Sequence, residues 1–262
     1  LLLNEFQCIG LYVLSVLALS LWQCIAFALP ISIPPICPPS MLMVFVAIYL
    51  PVMMLVMVFT DDHEGIMKTT PRKTNLQRRW RDESRFYYYL FTRVAFMVFN
   101  IWATGYITTI SLFRQSERDS DDFYESASRF HHLLENNNTT TSQIEDLRIF
   151  WLIQDMMTHA AFLSIIAHSF SLLVRGQQLW KGFPLPWNYP AYYITIALLL
   201  VLHAIISLFR ALFRSCTFSG EAATYFTGIN CSDVQSGSET YEYSDLHYSV
   251  WIVLAVLTML NG

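Results

Sequence analysis

Charged residues are scarce in this sequence. Asp, Glu, Lys and Arg make up 14% of the 262 residues, whereas hydrophobic residues make up 54%. Soluble domains carry about a quarter charged residues, so this composition excludes an ordinary soluble protein and is typical of a membrane protein. The formal net charge is −4 and no long basic block is present, so we expect no nucleic acid partner.

Clustered cysteines are also missing. The five cysteines are scattered along the chain, and none has the spacing of a metal-binding motif. Cys216 and Cys231 share one polar segment, where an oxidising compartment would allow them to form a disulfide. The sequence leaves open whether these two thiols pair, and it identifies no metal ligands.

Long apolar runs are the main feature that the sequence does contain. A run of about 20 apolar residues crosses a bilayer as a helix, because backbone groups in lipid must bond within the segment. The sequence therefore predicts an all-α membrane protein, a bundle of six transmembrane helices of which the last is truncated. The predicted spans cover residues 6–29, 41–59, 86–113, 149–174, 191–213 and 249–262.

Basic residues orient these spans. Seven Lys and Arg residues fall in loop 60–85, and loop 175–190 carries Arg175 and Lys181. Such residues beside span ends mark cytoplasmic loops. Segments 30–40, 114–148 and 214–248 are then predicted to be lumenal. The last two of these contain N-x-Ser/Thr sequences, so the glycosylation candidates are Asn137, Asn138 and Asn230.

Polar residues inside the fourth predicted span are the best candidates for an ion pathway. Asp155 and His159 are four residues apart and share a helix face, and Gln154 precedes them. A carboxylate and an imidazole on one face could bind a cation or relay a proton. Alternatively, Asp155 is salt-bridged or hydrated near the outer end of its span.

Other spans contain single polar residues with two interpretations each. Asn100 is either an ion-pathway residue or part of a polar stripe that bonds neighbouring helices. Gln23 is either an ion-pathway residue or a packed polar side chain. His203 is either a packed, hydrogen-bonded histidine or a proton site. We expect Arg93 to extend its charged group to the cytoplasmic face, and Arg210 and Arg214 could do the same at the outer face.

The exit from the second span points to a family. The apolar run is followed by Asp61-Asp62-His63-Glu64, then Ile66-Met67, Lys68 and Pro71-Arg72. This order resembles the end of the sixth membrane helix of P-type cation-transporting ATPases. The long outer loops and the proline-rich segment 30–39 are most similar to the divergent transmembrane protein 94 family, which is associated with magnesium handling at the endoplasmic reticulum.

The resemblance implies that residues 1–262 are the C-terminal transmembrane domain of a larger protein and correspond to the last six helices of a P-type ATPase. It implies a transported cation, with Mg²⁺ favoured, and an endomembrane location, the endoplasmic reticulum before the plasma membrane. Phosphorylation and nucleotide domains would lie upstream, so ATP and Mg²⁺ would serve only the full-length protein.

Two observations leave other functions open. The sequence has no D-K-T-G or T-G-E motif, so we expect no catalytic residue and no cofactor within this stretch. The second span also lacks the Asn and Asp residues that pumps place in the matching helix. The alternatives are a non-pumping, P-type-like scaffold or regulator, and an unrelated polytopic receptor or channel.

Overall fold

The computed structural model describes residues 2–28, 39–59, 76–115, 141–176, 189–214 and 248–261. These residues are helical apart from Tyr189, and they include no strand. The helices are α1 (Leu2–Ala28), α2 (Pro39–Val44), a π-helical turn (Phe45–Tyr49), α3 (Leu50–Phe59), α4 (Leu76–Gln115), α5 (Thr141–Gly176), α6 (Pro190–Arg214) and α7 (Tyr248–Asn261). Because α2, the π turn and α3 are continuous, they are called the second helix.

Four segments of these helices are long and apolar enough to cross a membrane: Cys8–Ile25, Met41–Val58, Tyr87–Ser111 and Pro190–Ala211. A shorter apolar helix covers Val250–Leu260. The prediction of an all-helical protein with segments apolar and long enough to cross a membrane is therefore confirmed for the described residues, and the bundle of six spans stays a prediction. α4 and α5 begin at Leu76 and Thr141, so the ends of the predicted loops 60–85 and 114–148 are helical.

Helix α5 lies at the centre of the bundle. It packs against α1, α4, α6 and α7, and none of residues 151–172 is exposed. This enclosure explains why α5 is not one of the four apolar segments. Its polar side chains contact neighbouring helices, where hydrogen bonds and ion pairs offset the cost of placing them at membrane depth.

Helix α6 lies at the edge of the described bundle and contacts it mainly through α3 and α5. Within residues 190–211, only Tyr192, Leu199 and His203 are buried. The exposed side chains of this helix include large apolar residues such as Leu198 and Leu208. An apolar outer surface around a polar centre is the arrangement that a bilayer favours, because lipid tails solvate these side chains.

The π-helical turn lies directly before Pro51. In this turn the backbone N–H of Leu50 donates to the carbonyl of Phe45, five residues back. Proline has no N–H, and its ring clashes with the carbonyl four residues earlier, so a wider turn accommodates Pro51 within a continuous helix. The turn ends at Tyr49, whose side chain is fully buried.

The close approach of α4 to α5 at Gly105 depends on the absence of a side chain there. A Cβ atom added to Gly105 would lie 2.8 Å from Sδ of Met157. Small residues allow membrane helices to approach closely and to gain van der Waals contact. Met157 is fully buried at this point, so Gly105 and Met157 determine how closely α4 lies against the central helix.

Candidate functional site

Ionisable side chains from three helices meet where α5 faces α6. Asp155 and His159 project from successive turns of α5, as their spacing predicted. They contact Arg210 and His203 of α6, and Tyr49 of the second helix completes the group. These five residues are called the polar core.

The two histidines and the tyrosine form a chain of hydrogen bonds. Nδ1 of His159 lies 2.8 Å from Nε2 of His203, and Nδ1 of His203 lies 3.1 Å from Oη of Tyr49. Each contact requires one donor hydrogen, so the protonation of one ring determines that of the next. Both ring nitrogens of His203 are thereby engaged, one on each neighbouring helix.

Aromatic rings hold this chain in place. Phe162 stacks on His203 with ring centroids 4.1 Å apart and planes inclined by 19°. Tyr49 packs against Phe162 at 4.7 Å and against Phe45 at 5.3 Å. The packing of Phe162 and Tyr49 restricts rotation of the His203 imidazole, and Phe45 and Phe162 exclude water from the Tyr49 end of the chain.

Asp155 and Arg210 form an ion pair beside the histidine chain. Nη1 of Arg210 lies 2.6 Å from Oδ1 of Asp155, with the carboxylate side chain 1% exposed and the guanidinium side chain 21% exposed. Removing a carboxylate from water costs several kcal/mol, and a close cation offsets that cost. The salt-bridged alternative for Asp155 is therefore the observed one.

The polar core consists of an ion pair beside a hydrogen-bonded pair of histidines. Within the described helices, no three His, Cys, Asp or Glu side chains converge as metal ligands. The carboxylate of Asp155 is engaged by Arg210, and Nδ1 of His159 is engaged by His203. This chemistry suits proton transfer between the rings and exchange of ion-pair partners.

The remaining ion-pathway candidates lie on α4, α5 and α1. Asn100 is buried on α4 and donates from Nδ2 to Oγ of Ser164 on α5 at 2.7 Å, the helix-to-helix bonding that was one of its two interpretations. Gln154 is buried on α5 next to Asp155. Gln23 lies on α1, and its amide oxygen is buried with no hydrogen-bond partner among the residues that the structure describes.

A second polar group joins α4 to α5 nearer the C-terminal end of α5. Oη of Tyr89 lies 2.7 Å from Oγ of Ser171, and Nη2 of Arg93 donates to the same oxygen at 3.0 Å. The ring of Tyr89 also stacks with that of His168 at 6.1 Å. Arg93 is half-buried, and its bond to Ser171 lies near the C-terminal end of α5, so its expected extension to the cytoplasmic face stays a prediction.

The guanidinium of Arg210 pairs with Asp155 and is partly exposed. Sequence reasoning did not name Arg210 or Tyr49 as site residues, and it left His203 with two interpretations. A usable signal was present: Asp155 lies early in its span and Arg210 late in the next, so antiparallel helices bring the opposite charges to similar depth. Tyr49 is likewise the only titratable residue among positions 41–58.

Several predicted features fall outside the described residues. They are the glycosylation candidates Asn137, Asn138 and Asn230, the candidate disulfide of Cys216 and Cys231, and the acidic-then-basic exit at 61–73. These features therefore stay predictions from the sequence.

The interpretation of the polar core rests on its own chemistry. No family model, curated protein or solved structure matches the chain in the three comparisons with known proteins. The resemblance to P-type ATPases consequently stays an interpretation of the motif after the second span.

Proposed function

We propose that this chain is the membrane transport domain of a P-type ATPase-like cation transporter. In this proposal six helices span an endomembrane, that of the endoplasmic reticulum by resemblance, and Mg²⁺ is the favoured cargo. Upstream domains of the same chain would hydrolyse ATP. The observation that supports transport is the ion pair of Asp155 and Arg210 inside an apolar bundle.

Burying a charge pair at this position costs free energy, and its presence therefore suggests a function. Well-packed apolar residues of similar volume often stabilise a protein as well as a buried ion pair does, or better. Ionisable residues inside membrane helices mark ion pathways by default. The pair also joins the central helix α5 to the peripheral helix α6, beside the His159–His203 contact between the same two helices.

The second helix offers a further element that fits cation transport. Pro51 supplies no N–H, so the preceding π turn has a carbonyl without a donor from position 51. Carbonyl oxygens are ligands for Mg²⁺ and Ca²⁺. In P-type pumps, by resemblance, the matching helix is interrupted near a proline at the ion site. The π turn at Phe45–Tyr49 would occupy that place, beside the polar core.

The test is ATP-driven cation uptake by the full-length protein in proteoliposomes, with Mg²⁺ as the first cation. Asp155→Asn should lower uptake by at least tenfold, because it removes the charge that holds Arg210. Thr195→Ala is the matched control on α6, since Thr195 donates only to the carbonyl of Ala191 in its own helix. Unchanged uptake by Asp155→Asn at normal expression would remove Asp155 from the pathway.

A non-pumping scaffold is the second candidate, and one observation favours it. Residues 41–58 contain no Asp, Glu, Asn or Gln, so the second helix supplies no side-chain carboxylate or carboxamide to a cation. The sequence upstream distinguishes the two functions. An intact D-K-T-G motif supports pumping, and the same layout with the Asp replaced supports the scaffold. Further spans without a large cytoplasmic insert would favour an unrelated receptor or channel and contradict both.

A further inference from the structure

We propose that His159 and His203 together bind one proton, shared across their N–H···N contact, and that this proton is the ion exchanged against the cation cargo. The proton site is a property of the described helices alone. Only its coupling to transport rests on the proposed function.

The neutral chain of rings has two arrangements. In the first, Tyr49 donates to Nδ1 of His203, and Nε2–H of His203 donates to Nδ1 of His159. In the second, both donors reverse: Nδ1–H of His159 donates to His203, and Nδ1–H of His203 donates to the oxygen of Tyr49. Only the second arrangement leaves a lone pair on Nε2 of His159. His159 is also the partly exposed member of the three, so it is the end at which a proton enters.

Proton uptake proceeds from that second arrangement. A hydronium ion gives its proton to Nε2 of His159, which forms an N–H bond and releases water. The Nδ1–H bond of His159 then breaks as an N–H bond forms at Nε2 of His203. The charge now lies on His203, which donates to His159 on one side and to Tyr49 on the other. Atoms and charge balance, and no other reactant is needed.

The geometry limits the pair to a single proton. With both rings cationic, two N–H groups would point at each other across the 2.8 Å contact. Like charges at that separation repel strongly where water is excluded. Tyr49 is fully buried among aromatic rings, so the chain ends there and the proton is held instead of passing through.

Few other charges face this pair. Within residues 8–25 of α1, 41–58 of the second helix and 250–260 of α7, the chain has no Asp, Glu, Lys, Arg or His. On α4, Arg93 bonds Ser171, which lies about 18 Å along α5 from His159. Among the side chains that the structure describes, the charges closest to the pair along α5 and α6 are Asp155 and Arg210.

Those two charges couple the proton to the helix contact. Asp155 lies one turn of α5 from His159, and Arg210 lies two turns of α6 from His203, about 10 Å along the axis. A cationic pair attracts Asp155 and repels Arg210, so proton binding weakens the ion pair that joins α5 to α6. Release of the proton restores it. One proton would therefore be bound and released each time the Asp155–Arg210 ion pair weakens and re-forms.

The first measurement is solid-state NMR of the full-length protein, labelled with ¹⁵N-histidine, in lipid bilayers as the pH is lowered stepwise from about 8. The neutral rings already share an N–H···N hydrogen bond, so the diagnostic shared signal is that of one imidazolium, with both ring nitrogens protonated and one of them coupled to the other ring, and it should appear as the pH falls. It should be lost in His159→Gln and His203→Gln. His168→Gln is the matched control, because it removes another buried histidine of α5 that stacks on Tyr89 and lies outside the polar core.

A conservative variant guards against misfolding. Tyr49→Phe keeps the ring that packs on Phe162 and removes the oxygen that accepts from cationic His203. A hydrogen bond to a charged group contributes about 1.5–3 kcal/mol, so the proton affinity of the histidine pair should fall roughly tenfold or more. Absence of the shared signal from the wild-type protein, or its persistence in a folded His203→Gln, would overturn the proton site.

The second measurement separates this inference from the proposed function. Proteoliposomes with a trapped pH dye report protons moved during ATP-driven Mg²⁺ uptake. Proton movement opposite to Mg²⁺ that is lost in Tyr49→Phe supports the coupling, and uptake without proton movement overturns it. If the NMR signal is present but no cation is transported, the proton site stands and the proposed transport function fails.

Discussion

Nη1 of Arg210 lies 2.6 Å from Oδ1 of Asp155, and this contact joins the peripheral helix α6 to the central helix α5. The two partners differ in environment. The carboxylate side chain is 1% exposed, whereas the guanidinium side chain is 21% exposed and retains some contact with the surroundings. Removal of Asp155 and removal of Arg210 should therefore have unequal effects on stability.

We expect Arg210→Gln to destabilise the protein more than Asp155→Asn. Arg210→Gln leaves a buried carboxylate unpaired and should cost about 3 kcal/mol, whereas Asp155→Asn leaves a partly exposed guanidinium and should cost about 1 kcal/mol. The double variant should lie within about 1 kcal/mol of wild type, because no charge is left unpaired. Denaturant titration of the detergent-solubilised full-length protein measures all three. A double variant less stable than Arg210→Gln would contradict this reasoning.

Asn100 and Ser164 should contribute modestly to the contact between α4 and α5. Nδ2 of Asn100 donates to Oγ of Ser164 at 2.7 Å, and both side chains are buried. Hydrogen bonds between membrane helices contribute about 0.6 kcal/mol on average. A double-mutant cycle with Asn100→Leu and Ser164→Ala should give a coupling energy between about 0.5 and 1.5 kcal/mol. Thr109→Ala is the control, since Thr109 donates to Gly105 in its own helix. Zero coupling would exclude this bond as a stabilising contact.

Gly105→Val should separate α4 from α5. A Cβ at Gly105 already lies 2.8 Å from Sδ of Met157, and the added methyl groups of valine leave the methionine little room to move. Overpacking of this kind costs about 1–3 kcal/mol. Gly105→Ala should be milder, because the thioether is flexible and alanine favours the helix. Thermal unfolding of both variants tests the order, and Gly105→Val combined with Met157→Ala should recover part of the loss.

Glycosylation should follow the topology that the basic residues predict. Treatment with a glycosidase should increase gel mobility, and the shift should depend on Asn230 and on Asn137 or Asn138. Asn→Gln variants at these positions test each acceptor. A tag placed at Arg79 should stay inaccessible to a reagent confined to the lumenal side. Modification of that tag would reverse the orientation of every span.

The sequence predicted the positions of the helices well because their physical cause is local. Long apolar runs at 6–29, 41–59, 86–113 and 191–213 correspond to the four segments that are long and apolar enough to cross a membrane. The shared face of Asp155 and His159 was also predictable, since residues four apart lie one above the other on any α-helix. The preference of Asn100 for helix-to-helix bonding was one of two interpretations that its sequence position allowed.

The partners of these residues were not predictable from local pattern. His159 could not be assigned to His203, nor Asp155 to Arg210, without knowing which helices are neighbours. The π turn that places Tyr49 against His203 depends on how the helix accommodates Pro51. Arginines near span ends have an alternative to the membrane surface only when a neighbouring helix presents an acceptor, as α5 does to Arg93 and Arg210.

By itself, the sequence determined a helical membrane protein, because backbone groups in lipid must bond within each apolar run. It also determined which polar residues lie within those runs and which helix face each occupies. Only the tertiary structure decided that Tyr49, Asp155, His159, His203 and Arg210 form one polar core, because side chains from three separate segments meet only after the helices pack. The cost of leaving an ionisable group unpaired inside an apolar bundle is the physical reason that these partners face each other.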